Sequence, residues 1–318
     1  MVKRTQKLPF LFCFSDELMD SATFVIIFLN GLYYAFALFL ITIGLNILYG
    51  ILRVLNIAHG GFYAMGAFIT WFLMNAAEQA GAPIYLVWLC IPVGALLVAL
   101  VSITLEPILF KRLYKLPEEY SLLATFALML MLDDVLRMVF GGDPLSANQL
   151  FNYMGTISIL GKTYPAYNFV IYACALILAL GLWAFLYRTN MGRILRGAAQ
   201  DSSMASALGV NTSILYTQVF FLAFFIAGLG GAVYLPATSA YSGMGFEAIV
   251  LSFVVMIIGG LGSLRGALVA SLIIGLVRGF GIYYVPRLEL AFVFIILIVT
   301  LIFRPRGLFG RKFTREEK

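Results

Sequence analysis

Apolar runs about as long as a bilayer is thick recur along this chain too often for any soluble core to hold them. Residues 24–48, 57–77, 84–105, 121–140, 169–186, 213–235, 248–262, 267–284 and 289–303 each read as one. A crossing takes roughly 20 predominantly apolar residues, because about 30 Å of hydrocarbon is covered at 1.5 Å per residue. Barrel strands need only about ten, so the segments are helices. With 62% of 318 residues apolar and 11% charged, the chain predicts an all-α polytopic membrane bundle of eight to nine hydrophobic spans. The last two runs are short enough to be tilted, broken or re-entrant.

Basic residues in the loops set the orientation. Lys111, Arg112 and Lys115 occupy one loop, Arg188, Arg193 and Arg196 another, and six basic residues fall between Arg304 and Lys318. These belong in the cytosol, which puts the C-terminus inside. The connections at 78–83 and 236–247 carry no basic residue, and 141–167 carries only Lys162, so they face outside. Two features depart from the pattern: Arg287 falls outside and Arg278 falls within a span. Nine crossings also leave Lys3, Arg4 and Lys7 outside, against the rule. Either one span is re-entrant or the first segment lies on the surface. Residues 8–14 are too short to span and are followed by Asp16, Glu17 and Asp20, so residues 1–23 read as an interfacial segment with no cleavage site. A membrane domain over 24–303 and a basic tail over 304–318 follow it.

The +6 net charge reports topology and contact with anionic membrane lipids, not nucleic-acid binding. One histidine in the whole chain leaves no His-rich metal site, and no GxSxG or HExxH motif is present. Cys13, Cys90 and Cys174 are odd in number and lack CxxC spacing, which argues against redox or metal chemistry. The nearest approach to a phosphate loop, Gly155 to Thr163, has five residues between its glycines where four are required. It also lies on the outside, so Gly161 and Lys162 read as a hairpin turn. No cofactor is expected in this chain; if it uses ATP, another subunit binds it.

Between the first two spans, Asn46, Gly50, Arg53, Asn56, His59, Gly60 and Gly61 interrupt the apolar run. Polar groups at membrane depth require a protein partner or a wet cavity. One reading has Gly60 and Gly61 break the helix and expose backbone to a substrate pathway lined by Asn46, Asn56 and His59. The other has Arg53 snorkel at the surface, His59 bond to neighbouring backbone and the glycines allow close helix packing.

In the fourth span, Asp133 to Arg137 is an i,i+4 pair and Asp134 to Arg137 an i,i+3 pair. One arginine offsets one carboxylate and leaves the other in need of a partner. A structural ion pair is one reading; a carboxylate at the outer mouth of the pathway, as a proton-coupled carrier would use, is the other.

Residues 187–212 form a polar, glycine-marked loop between two spans. Asp201 is positioned to cap a short helix over 202–208, Gly209 supplies its left-handed end, and Asn211 or Thr212 caps the next span. A helix of about two turns is too short to hold itself, so it docks on its own spans or on a cytosolic partner.

Three blocks together resemble the inner-membrane permease subunits of bacterial branched-chain amino acid ABC importers of the leucine/isoleucine/valine type. They are 45–67 with RVLNIAHGGFYAMGA, 188–211 with TNMGRILRGAAQD and ALGVN, and 259–310 with GGLGSLRGALVASLIIG and FRPRGLFG. The resemblance implies a transporter subunit of the bacterial inner membrane, not an enzyme. It also implies a second permease subunit, a periplasmic substrate-binding protein, and two cytosolic ATPase subunits that hold ATP and magnesium. The 188–212 segment is similar to the coupling region of such permeases, with Arg193, Arg196, Asp201, Ala205 and Gly209 as its candidates. Ser203 and Met204 stand where the general importer pattern has glutamate and alanine, so no specific glutamate contact is expected. Related permeases carry urea, short amides or aromatic acids, which stand as substrate alternatives beside an ion-coupled carrier using Asp133 or Asp134.

Overall fold

The computed structural model describes residues 20–113 and 117–310. Most of the stretch expected to be interfacial, with Cys13, as well as Lys115 and the tail beyond Gly310, lies outside the described residues.

Every apolar run is helical. The long helices are α1 (Ser21–Leu52), α2 (Ala58–Gln79), α3 (Ile84–Leu105), α5 (Glu118–Phe140), α7 (Asn168–Arg188), α10 (Thr212–Tyr234), α11 (Met244–Gly259), α12 (Leu264–Tyr284) and α13 (Glu289–Phe303). Short pieces connect them: a π-helical turn Glu106–Phe110 leading into α4 (Lys111–Leu113), then α6 (Gln149–Met154), α8 (Asn190–Gln200) and α9 (Ser202–Ala207). Six segments are long and apolar enough to cross a membrane, those built on α1, α3, α7, α10, α12 and α13. Helix α11 is apolar but only 16 residues long. Helices α2 and α5 have the length of a span, yet α5 alone carries Glu118, Glu119, Asp133, Asp134 and Arg137.

Helix α1 is the central post. Its second half is buried almost without interruption from Ala35 to Leu48, because it packs against α12, α10 and α11 at once. Helix α2 packs against α10, α3, α5 and α11. Phenylalanines fill the space between them: Phe62 and Phe224 meet with ring centroids 4.2 Å apart, and Phe110 lies 4.6 Å from Phe220. At the periphery, α13 buries only Val293.

The 141–167 connection holds a hairpin, β1 (Thr156–Ile159) paired antiparallel with β2 (Lys162–Pro165). Leu160 and Gly161 form the turn with φ of 49° and 80°. Lys162 is therefore a strand residue, not part of the turn, and its ammonium donates to the Thr23 hydroxyl at the start of α1. At the other end, the first residues of the basic tail are packed. The Leu308 N–H donates to the Ile258 carbonyl at 2.8 Å and the Phe309 N–H to the Gly259 carbonyl at 3.0 Å.

Candidate functional site

The break between α1 and α2 falls at Arg53–Ile57, ahead of the paired glycines. Arg53 closes α1 in the left-handed region (φ 54°) with its N–H on the Tyr49 carbonyl, and its guanidinium reaches across to the Ala199 carbonyl at 3.1 Å. Gly60 and Gly61 are inside the first turn of α2, where they admit neighbouring helices. A Cβ on Gly60 would sit 2.3 Å from the Gly245 carbonyl oxygen of α11, and one on Gly61 would sit 2.9 Å from Leu132 of α5. Real Cβ atoms do not approach a backbone oxygen that closely, so only glycine at position 60 allows α11 to cross here, whereas at position 61 the neighbour is the Leu132 side chain.

His59 is fully buried, with Nε2 3.2 Å from the Ile41 carbonyl of α1 and its ring 5.4 Å from that of Phe224. Asn56 is 1% exposed and neither polar atom of its side-chain amide has a hydrogen-bond partner. Asn46 is tied to the α11–α12 turn, its Oδ1 accepting the Gly262 N–H at 2.9 Å. Asn56, His59, Gly60 and Gly61 are thus brought together at one internal junction of α1, α2, α5, α10 and α11, while Asn46 stands apart, near the C-terminal end of α1.

Asp133 and Arg137 do not pair. Among the described residues the ion pairs are Lys111–Glu106 and Arg278–Glu289. Asp133 instead accepts the Ser242 hydroxyl and the Gly243 N–H, both at 2.8 Å. Gly243 is the N-cap residue just before α11, so the carboxylate sits at a helix N-terminus whose free N–H groups and dipole favour an anion. Those donors satisfy it without the arginine. Asp134 and Arg137 are both exposed on α5.

The 187–212 segment folds as two helices. Thr189 caps α8 by accepting the Gly192 N–H at 3.0 Å, an element that sequence reading left as loop. Asp201 caps α9 by accepting the Met204 N–H at 2.8 Å, Gly209 is left-handed at φ 86°, and Asn211 caps α10 by accepting the Ile214 N–H at 3.2 Å. Ala205 is buried against the bundle, while Met204 and Leu208 are 58% and 78% exposed. Arg193 is exposed, and Arg196 lies under cover with its guanidinium 4.5 Å from the Tyr187 ring.

Sequence reading missed three further charged groupings. Arg278 donates to Glu289 at 3.0 Å and lies 4.6 Å over the Tyr34 ring, and Tyr241 donates its hydroxyl to the Glu247 carboxylate. Glu106, 1% exposed, accepts the Thr217 hydroxyl at 3.1 Å besides facing Lys111. The only sequence signal for the first was an arginine inside a span with no partner within one helical turn.

Proteins of similar sequence match nearly the whole chain. The high-affinity branched-chain amino acid transport system permease LivH of Salmonella typhimurium is 26% identical over 293 residues, covering 89% of this chain and 94% of LivH. BraD of Pseudomonas aeruginosa, also named a high-affinity branched-chain amino acid transport system permease, is 25% identical with the same coverage of each chain. LivM of Escherichia coli, named a permease of the same kind of system, is 23% identical over 93% of this chain and 71% of LivM. A family model described as the branched-chain amino acid transport system / permease component matches residues 27–301, and the chain belongs to that family.

Proposed function

We propose that this chain forms half of the translocation pathway of an ATP-driven importer of branched-chain amino acids. In this reading a second, similar permease completes the pathway, an external binding protein delivers substrate, and two ATPase subunits holding ATP and magnesium drive it from the cytosol. The observation that carries it is α9, six residues long, capped at its start by Asp201 and closed by Gly209, with Met204 and Leu208 turned outward. So short a helix is not stable alone, and exposed apolar side chains at its tip suit a protein partner. Arg193, exposed on α8, supports the same docking, while Ala205 holds α9 to the bundle.

With α2, α5 and α11 added to the six apolar segments the chain crosses nine times, or eight where the 16-residue α11 turns back, with the C-terminus in the cytosol. The polar junction around Asn56 and His59 supports a gate through helix movement, not through direct substrate contact, since Gly60 and Gly61 are closed by Gly245 and Leu132. Asp134, exposed on α5, is the residue through which an ion-coupled carrier would work. Reconstitution of the full complex in vesicles tests the proposal: uptake of leucine, isoleucine or valine should require both ATP and the binding protein. Uptake by this chain alone, driven by a proton gradient and lost in Asp134→Asn, would overturn it.

A further inference from the structure

At the end of the bundle that carries α8 and α9, the C-terminal turns of α1, the α7–α8 junction and the α11–α12 turn enclose a cavity of about 790 Å³. Arg53, Arg196 and Arg265 line it, and no carboxylate is among its described lining residues. Such a concentration of one sign of charge in a recess raises the local potential and favours an anion. The arginines are positioned from different directions. Arg53 comes from the end of α1, held to the Ala199 carbonyl; Arg196 comes from α8, with Nε on the Gly192 carbonyl at 3.4 Å. Arg265 is the second residue of α12, so its guanidinium adds to the positive end of that 21-residue helix. Asn46, which lines the same cavity and is 2% exposed, has a side-chain Nδ2 with no hydrogen-bond partner.

The wall formed by α7 shows where this recess sits in the bilayer. Trp183 and Tyr187 line it one helical turn apart, and Arg188 lies 5.4 Å from the Trp183 ring. Tryptophan and tyrosine beside arginine mark the headgroup level of a membrane. Leu176 and Leu180 continue the same helical face away from the cavity, since 176, 180, 183 and 187 follow the four- and three-residue spacing of one stripe. All four are exposed, at 46%, 66%, 36% and 39%. A cationic recess at headgroup depth therefore opens at the end of an apolar track long enough for acyl chain.

We propose that this cavity binds the phosphate of an anionic phospholipid whose acyl chains lie along the Leu176–Tyr187 stripe of α7. A phosphodiester oxyanion suits guanidinium donors, which meet its oxygens as paired N–H groups. The stripe is what selects a lipid over a free phosphate, because a small anion has no use for it. The bound headgroup would tie α1 and α12 to α8, the helix that precedes α9.

The test uses the full chain, purified and delipidated in detergent, with thermal unfolding followed as lipid is added. Phosphatidylglycerol should raise the transition temperature, phosphatidylcholine should do so much less, and inorganic phosphate should have no effect at matched concentration. In the Arg196→Gln, Arg265→Gln double variant the apparent affinity for phosphatidylglycerol should fall about tenfold or more, on the order of 1.4 kcal/mol. Arg287→Gln, at the opposite end of α12, should bind like the unaltered chain. Should the double variant fold poorly, Arg265→Gln alone replaces it and should lose affinity, while the lysine pair Arg196→Lys, Arg265→Lys, which keeps the charge without the paired N–H donors, should fall between the glutamine variants and the unaltered chain. Equal stabilisation by both lipids, or an undiminished response in the glutamine variants, would overturn the proposal. Stabilisation by inorganic phosphate equal to that by phosphatidylglycerol would overturn the lipid and leave a soluble anion as the occupant.

Discussion

Asp133 on α5 accepts the backbone N–H of Gly243 at 2.8 Å, joining two residues 110 positions apart at the point where α11 begins. The contact anchors the 16-residue α11 to a neighbour, and the Ser242 hydroxyl on the second carboxylate oxygen fixes its orientation. Arg137, four residues further along α5, takes no part. The carboxylate thus acts as an N-terminal cap supplied from another helix, and the charge it carries is balanced by a helix end.

Asp133→Ala should therefore destabilise the chain by about 2 kcal/mol, since charge-assisted hydrogen bonds to a helix N-terminus are lost and the donors are left unsatisfied. Arg137→Gln should cost roughly 0.5 kcal/mol or less, as expected of an exposed side chain without such a contact. Thermal unfolding in detergent compares the two. Matching losses from both substitutions would restore the ion pair that helical spacing suggests.

Gly60→Ala should be among the most damaging single-methyl changes in the protein. Its Cβ would collide with the Gly245 carbonyl, and backbone has no rotamer by which to yield. Overpacking of this kind costs about 1–3 kcal/mol or more. Gly181→Ala in α7 supplies the contrast, because open space surrounds it and alanine is favoured over glycine in a helix by up to about 1 kcal/mol. Folded yield and unfolding temperature should fall for the first and hold or rise for the second. A Gly60→Ala protein that folds normally yet imports nothing would assign the glycine to gating and not to packing.

Gly209→Val should disrupt the α9–α10 connection, because φ of 86° is costly for a β-branched residue, on the order of 1–2 kcal/mol or more. Ser203→Ala, on an exposed position, should be nearly silent. The double change Met204→Ser, Leu208→Ser should leave the stability of the isolated chain almost unaltered, since both side chains already face solvent. In the assembled complex it should reduce retention of the ATPase subunits and substrate-stimulated ATP hydrolysis. Full retention with normal import would show that α9 is not where the ATPase docks.

The legible parts of this fold were those written within a few residues of one another. Hydropathy located each long helix to within a few residues, and the Asp201 cap, left-handed Gly209 and Asn211 cap follow from turn chemistry that acts over three or four positions. The same locality explains the errors. Asp133 and Arg137 have the spacing of a pair, and nothing in the chain announces that Ser242 and Gly243 return to satisfy the carboxylate first. The paired glycines signalled a break, whereas the chain breaks at Arg53 and spends the glycines on the approach of α11 and α5. Helix α8 was missed because its amphipathic pattern lies in a stretch read for turns and charge.

Arg278 and Glu289 offer the sharpest test of a charge that sequence could not match. They lie on either side of the α12–α13 turn, 3.0 Å apart, with side chains 20% and 30% exposed. The guanidinium also covers the Tyr34 ring of α1, so it draws α13 and α1 toward the same point of α12. Removing one partner leaves a partly desolvated charge unmatched, which costs more than the pair itself contributes. Arg278→Gln and Glu289→Gln should each destabilise by about 1–3 kcal/mol, with the arginine change larger because its contact with Tyr34 goes too. The double variant should be more stable than the sum of the singles predicts, by at least about 0.5 kcal/mol. Strict additivity in unfolding measurements would mean that the two charges are solvated independently and that α13 is held by its apolar face alone.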